Sequence, residues 1–324
     1  MKEPAKQIKA LVEQDDDGQK LDRLVARYAA LSRRQARILI ARGLVSVNGR
    51  VVKILTRPVK AGTRIAIKIE DQDDLMLPEP GRIDLSAKHI LYKDRWLVAL
   101  HKPAGLLSES DRLGSRSVES LLPKLLLAQG EPSEIHLVHR LDAGTSGVLV
   151  LARKPNIARF MHELFRHKKI HKTYVALCQQ RLKKNQWCDA PLRKMPGQKA
   201  RHAVHAEGKP ARTYVEEIMH HAGYSLILAR PKTGRTHQIR VHLAHLGCPI
   251  LGDKRYGGQA YVGDAHRPVY RPMLHAYRLE FVHPKSKETM ILKSVLNDDF
   301  KGLAESLGLW QEGLSLDGGR SNNG

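Results

Sequence analysis

Asp142 and Arg140 stand two positions apart in the string His139-Arg-Leu-Asp-Ala-Gly-Thr-Ser-Gly147, which runs directly into the apolar segment Val148-Leu-Val-Leu-Ala152. A carboxylate held beside a guanidinium stays ionised and oriented, as a nucleophile or a general base requires. For a single Asp taken alone, the ordinary alternative is a solvated turn residue. Serine hydrolysis fits poorly, because Gly144-Thr-Ser-Gly147 is one residue short of the Gly-x-Ser-x-Gly elbow. A metal centre built on His237, His242 and His245 would need converging ligands and a supporting carboxylate. The chain has no His-Glu-x-x-His spacing to provide them.

These residues need a frame. The Gly-Thr-Ser-Gly turn feeding a Val/Leu strand sets Asp142 at the strand's mouth, where loops on a rigid sheet usually carry chemistry. Trp96-Leu-Val-Ala-Leu100 reads as another strand, followed by the turn Lys102-Pro-Ala-Gly105. Pro155 opens a helix whose Ile157, Phe160, Met161, Leu164 and Phe165 form a core-facing stripe. His171-Lys-Thr-Tyr-Val-Ala-Leu-Cys178 alternates, which puts Tyr174, Ala176 and Cys178 on one face of a strand. Thr236 is placed to cap a helix with apolar side Ile239, Leu243 and Leu246, leaving His237 and Arg240 on the opposite face. Between Pro191 and Lys209 the composition reads as a long basic surface loop.

The string around Asp142 resembles the catalytic motif of the RluA-type pseudouridine synthases, His-Arg-Leu-Asp-x-x-Thr-Ser-Gly, at every fixed position. The resemblance implies that Asp142 is the catalytic aspartate. Lys172-Thr-Tyr-Val-Ala176 matches the family's Lys-x-Tyr-x-Ala, so Tyr174 takes the place of the tyrosine that stacks on the target base. Such stacking is sensible chemistry for a phenol, whereas a core tyrosine is the plainer reading. Gly234-Arg-Thr-His-Gln-Ile-Arg-Val-His242 is similar to the third motif, which sets Arg240 as the arginine paired with the catalytic aspartate. His101 stands where relatives usually have Asn, and Gln179-Gln-Arg181 stands where they usually have a glycine. The likeness extends from about Lys20 to about Pro284 and includes Ile250-Leu-Gly-Asp-Lys-Arg-Tyr-Gly257.

The front of the chain carries its own signal. Leu21, Leu24, Val25 and Tyr28 repeat at helical spacing, and Ser32 with Gln35 forms a capping box for a second helix that Gly43 stops. Asn48-Gly49 between β-branched residues is a hairpin turn. From Lys20 to Lys68 thirteen Lys and Arg residues face one acid, Asp22. Arg33, Arg34 and Arg37 lie on a helix flank where they could track phosphates. The segment resembles the small RNA-binding domain shared with a ribosomal small-subunit protein.

A net charge of +22 implies a polyanionic partner. No apolar run reaches membrane-spanning length, the start lacks a signal-peptide core, and the three cysteines form no framework, so the chain is expected in the cytoplasm. Taken together, the expectation is an α+β fold with a mixed, mostly antiparallel sheet and flanking helices, plus a small α/β RNA-binding domain. The boundaries expected are a frayed lead-in to about residue 17, a basic domain 18–75, a linker 76–88, a catalytic domain 89–300 and a disordered tail 311–324. The activity implied by the resemblance is isomerisation of uridines to pseudouridine in large-subunit ribosomal RNA, with transfer RNA as alternative substrate and a non-catalytic ribosome-assembly factor as alternative class. That reaction changes no redox state and adds no external group. It therefore implies neither cofactor nor metal, and the chain lacks a dinucleotide or phosphate-loop fingerprint. Arg140 is the candidate to fill the gap left by an extruded uridine. RNA is the partner expected, not DNA or a membrane, and the protein is expected to be a monomer.

Overall fold

A computed structural model describes residues 6–31, 33–41, 43–52, 57–69, 83–110, 116–196, 201–263 and 267–316. In chain order the elements are β1 (Lys6–Leu11), α1 (Leu21–Tyr28), α2 (Arg33–Ala41), β2 (Val45–Val47), β3 (Arg50–Val51) and β4 (Arg64–Ile69). There follow β5 (Ile90–Lys93), β6 (Leu97–Lys102), α3 (Val118–Ala128), β7 (His136–Leu137), β8 (Ser146–Ala152), α4 (Pro155–Arg166), β9 (His171–Gln179) and β10 (Gln186–Cys188). The remainder is β11 (Leu192–Lys194), β12 (His202–Val204), β13 (Thr213–His221), β14 (Tyr224–Pro231), α5 (Gln238–His245), β15 (Tyr261–Val262), β16 (Arg267–Pro268), β17 (Leu274–Val282), β18 (Thr289–Lys293) and α6 (Asp298–Ser306). The chain divides into two compact units, Met1–Glu79 with Tyr261–Pro268, and Pro80–Ala260 with Val269–Gly324.

In the first unit the sheet order is β1-β4-β2-β3. Leu21, Leu24 and Val25 of α1 and Ala36, Leu39 and Ile40 of α2 are enclosed with Val45, Ile65 and Ile67 of the sheet. Asn48 and Gly49 both take positive φ, 49° and 78°, as a type I′ turn demands. The lead-in is not frayed: β1 pairs antiparallel with β4 from Lys6↔Ile69 to Leu11↔Arg64. Apolar side chains tie it down, since Val12 is buried and Ile8 packs on the same core.

The second unit is built on a ten-stranded mixed sheet, β10-β13-β14-β9-β17-β8-β6-β5, with β18 beside β17 and β7 beside β8. Its one parallel pairing among these strands is β17 with β8, through His275↔Ser146 and Ala276↔Gly147. That pairing explains a glycine. At Gly147, φ is 115° and a Cβ would lie 2.2 Å from the Ala276 carbonyl oxygen, so only glycine lets the strands close here. β8 is buried along its whole length. α4 covers one face with Ile157, Met161 and Leu164, and α3 covers the other with Val118, Leu122 and Leu126.

Three further expectations change. Within 191–209, β11 and β12 pair antiparallel with Leu192 facing Val204, and residues 197–200 lie outside the described ones. Buried Leu192 and partly buried Val204 give the segment an apolar side that its basic composition concealed. Of the expected linker, residues 76–82 lie outside the described ones, while Ile83 and Leu85 pack against the α3-side core. The expected tail is placed as far as Leu316, whose side chain is buried at 4 % exposure; residues 317–324 lie outside the described ones. The three cysteines are free and buried.

Candidate active site

The loop carrying Asp142 is pinned on every side by main-chain and buried polar contacts. Ser108 Oγ accepts from the Leu141 N–H at 3.1 Å and donates to the Leu141 carbonyl at 2.9 Å. Gly105 donates its N–H to Ala143 O at 2.7 Å. Lys102 is fully buried, and its Nζ donates to Leu106 O at 2.7 Å, Pro103 O at 3.0 Å and Ala143 O at 3.3 Å. Burial, with Arg271 nearby, pushes this ammonium down to about 7. His139 accepts the Val150 N–H on Nε2 at 3.0 Å and packs on Phe165, and burial drives it down to about 3. A neutral His139 thus clamps the loop to the strand behind it.

The turn closes through the Asp142 main-chain carbonyl, which accepts from Thr145 N at 3.0 Å. The side chain is therefore free of capping duty and projects into a cleft lined by Arg140, Lys172, Tyr174, His237, Arg240 and Leu274, among others. Asp142 Oδ2 receives Arg240 Nη1 at 3.1 Å. The rest of the Arg240 fork is held by Asp253, Nε to Oδ2 at 2.7 Å and Nη2 to Oδ1 at 2.8 Å. Burial opposes the Arg240 charge, but Asp253 and then Asp142 outweigh it and raise its pKa. The guanidinium also lies 5.0 Å from the centroid of the Tyr256 ring.

Tyr174 lies in the sheet between Ala229 of β14 and Ala276 of β17. Its partly buried side chain packs against the α3-side core and also lines the cleft. Burial, with the Asp142 charge added, raises the phenol well above its ordinary value, so the ring is neutral. Lys172, two residues earlier on the same side of β9, donates to Thr233 O at 3.2 Å and is pushed by burial down to about 8.

α5 departs from its expected amphipathic form. It begins at Gln238, with His237 and not Thr236 at the cap, and Gln238 through Leu243 are all buried. His242 points away from the cleft to Thr213 Oγ1 at 2.8 Å and Ala190 O at 3.0 Å. His245 is exposed. His237 does face the site: its Nε2 is 3.8 Å from Asp142 Oδ2. Arg140, two positions before Asp142 and expected to fill the gap left by an extruded uridine, reaches outward to Glu109 at 2.8 Å with 65 % of its side chain exposed. The guanidinium bound to Asp142 comes from Arg240, 98 positions along the chain. In the first unit Arg33 and Arg37 both donate to buried Asp22, at 2.9 and 2.7 Å. The side chain of Arg34 lies outside the described ones.

Sequence reasoning missed Asp253, Lys102, Ser108 and His237. Asp253 was inside a string that resembled the family, but nothing in its neighbours said that it would meet Arg240.

A partly exposed carboxylate on a heavily tied loop, set in a cleft over the central strands of a mixed sheet, with a separate unit of high positive charge, defines an enzyme that acts on a polyanion. The model for the RNA pseudouridylate synthase family matches residues 96–245, and that for the S4 domain matches residues 19–65. The ribosomal large subunit pseudouridine synthase D of Pasteurella multocida is 33% identical over 304 residues, covering 90% of this chain and 91% of its own. Synthase C of Yersinia pestis is 33% identical over 311 residues, covering 89% and 91%. Among solved structures, human RNA pseudouridylate synthase domain containing 4 aligns with a TM-score of 0.56 and 28% identity, over 68% of this chain and 93% of that one. The chain belongs to the RNA pseudouridylate synthase family, and its partner is RNA.

Proposed function

We propose that this enzyme isomerises uridines of large-subunit ribosomal RNA to pseudouridine, with Asp142 as the reacting carboxylate. The relatives named for the ribosomal large subunit, covered at nine-tenths of their length, support that substrate. The uracil must leave its ribose, turn and reattach through carbon. Such a reaction needs a nucleophile or base at the glycosidic centre and walls that retain the freed base. Asp142 attacks the sugar or the ring, or abstracts a sugar proton to form a glycal. Arg240 holds it, and Tyr174 stacks on the base.

The observation that carries this reading is the division of labour between the two Asp142 oxygens. Oδ2 is bound by Arg240, while Oδ1 accepts no hydrogen bond from the described residues and is left to the cleft. A target uridine in structured RNA is extruded before attack, because its reacting atoms are closed off in the stack. Arg140, exposed at the rim, takes its place. The small basic unit adds affinity through phosphates, and the enzyme works as a cytoplasmic monomer on RNA and not on DNA or a membrane. No helix among the described residues is long and apolar enough to cross one. The test is to map pseudouridines in ribosomal RNA from cells lacking the gene and to restore them with purified enzyme. Unchanged ribosomal RNA with sites missing from transfer RNA would overturn the substrate assignment.

A further inference from the structure

His237 takes the left-handed backbone conformation, with φ 57°. For a residue with a Cβ this costs on the order of 1 kcal/mol and persists where the surroundings over-determine it. Here the ring is fixed at one end, and its other end stands short of hydrogen-bond distance from the carboxylate. Nδ1 lies 2.7 Å from Tyr256 Oη, and Nε2 lies 3.8 Å from Asp142 Oδ2. Tyr256 Oη accepts the His202 main-chain N–H at 3.1 Å, which leaves its own proton free to be donated to His237 Nδ1. That bond leaves the single imidazole proton on Nε2, directed at the carboxylate.

The imidazole is uncharged. Burial pushes it down to about 4 against the pull of Asp142, with Arg240, Arg255 and His202 adding to the effect. A second cation on Asp142 would drain the carboxylate of the basicity its chemistry needs. A neutral N–H orients it without doing so.

We propose that His237, oriented by Tyr256, is a positioning residue for Asp142: an uncharged donor that closes from 3.8 Å to hydrogen-bond distance when a uridine fills the cleft, so that Arg240 and His237 together hold Oδ2 and commit Oδ1 to the reaction. Catalytic hydrogen bonds that are long in a free enzyme often tighten only in its substrate complex. The proposal rests on the reading of Asp142 as the reacting carboxylate.

The experiment measures single-turnover pseudouridine formation and RNA binding by the full chain on an unmodified large-subunit ribosomal RNA fragment, across pH 5 to 9 (roughly the working range of a neutral imidazole). His237→Leu removes the donor, and His237→Gln returns an amide N–H near the position of Nε2. The expected result for His237→Leu is a rate lowered about 10- to 100-fold, the scale for a partner that positions a reacting ligand. Its RNA binding stays unchanged, and the acid limb of its rate profile moves to higher pH, since a carboxylate that loses a donor takes up its proton more readily. His237→Gln should recover most of the rate and the original limb. Equal losses in the Gln and Leu variants, with the limb unmoved, would overturn the proposal and leave His237 a packing residue. If the Leu variant does not fold, Tyr256→Phe carries the test with His237 in place, and an unchanged rate and limb there overturn it. The Asp142 reading fails separately, if Asp142→Asn turns over.

Discussion

Asp22 in the small basic unit and Asp142 in the catalytic unit each meet arginine side chains, yet Asp22 is fully enclosed while 29% of the Asp142 side chain is exposed. Asp22 receives two guanidinium groups, from Arg33 and Arg37, and joins α1 to α2. Burial opposes its charge, but the hydrogen bonds of Arg37 and Arg33 prevail and hold the carboxyl below its usual range. Asp142 receives one arm of a single guanidinium, two of whose other N–H groups are held by Asp253. The first arrangement uses the arginines to satisfy an acid; the second uses a buried acid, Asp253, to fix an arginine that then steadies a second acid. Each acid keeps one oxygen that accepts no hydrogen bond from the described residues, but Asp22 Oδ1 is sealed in the core whereas Asp142 is partly exposed and lines a cleft, and chemistry needs an oxygen that a substrate can reach.

Asn substitution separates the two most sharply. Asp142→Asn keeps size and removes the reactive oxygen, so single-turnover product formation should fall by about four orders of magnitude or more, the scale for loss of a principal catalytic group. RNA affinity should stay near wild type, because phosphate contacts dominate it. Substantial turnover by this variant would erase the contrast. Asp22→Asn should do the reverse. It strands Arg33 and Arg37 around an enclosed amide and should cost about 2 to 3 kcal/mol in denaturant unfolding of the first unit, below the full value for a buried pair because both arginines are half-exposed. Turnover at saturating RNA should be unaffected.

The contrast was only half legible in the sequence. Asp142 and Arg240 stood out through ungapped motifs, the α4 stripe and the Asn48-Gly49 turn followed from local spacing, and the mixed sheet was implied by the family resemblance. Asp22 read as a lone acid among cations because burial is a tertiary fact: its partners Arg33 and Arg37 are eleven and fifteen positions away. Lys102 looked like part of a turn, although it is fully buried and caged by three carbonyls, one of them across the loop at Ala143. β1 was missed because a six-residue polar-looking strand gains its place from pairing with β4, not from its own composition. The cap falls on His237 and not Thr236, in a turn held by Tyr256 on His237 and by Gln238 bonded to Arg235.

Solution pH offers a second way to sharpen the comparison. His139 and His275 are held at about 3 and His237 at about 4, in each case chiefly by burial. Their folded values lie below the unfolded one, about 6.5. The unfolded chain therefore binds more protons as pH falls from about 6.5 toward these values, and stability is lost across that window. The urea midpoint of the catalytic unit at pH 4.5 should correspond to at least about 2 kcal/mol less stability than at pH 7.5, since one unit of one shift is worth about 1.4. Raising pH from about 7, where Lys102 is held, toward the unfolded lysine value near 10.4 should add stability by the same sign. A midpoint independent of pH between 4.5 and 7.5 would contradict the neutral clamp at His139.

The smallest effect belongs to the arginines of the first unit, and it tests whether an arginine that satisfies a buried acid can still serve RNA. Arg33 and Arg37 each keep nearly half of their side chain exposed, 45% and 47%, while donating to Asp22. A guanidinium has five N–H donors, so the bond that each makes to Asp22 leaves other donors for phosphate. If they serve it, Arg33→Gln should weaken RNA binding modestly and lower the slope of log affinity against log salt by roughly 0.7 to 0.9, the value for a single phosphate no longer neutralised. Because Arg37 still holds Asp22, the fall in stability should stay within about 1 kcal/mol. Arg140→Ala, which removes an exposed arginine at the cleft rim held by one bond to Glu109, should leave that slope nearly intact and instead abolish the fluorescence change of a reporter base beside the target. Should Arg33→Gln lower the unfolding midpoint while the salt slope stays fixed, the arginines of the first unit are pins alone, and its affinity resides in the other cations between Lys20 and Lys68.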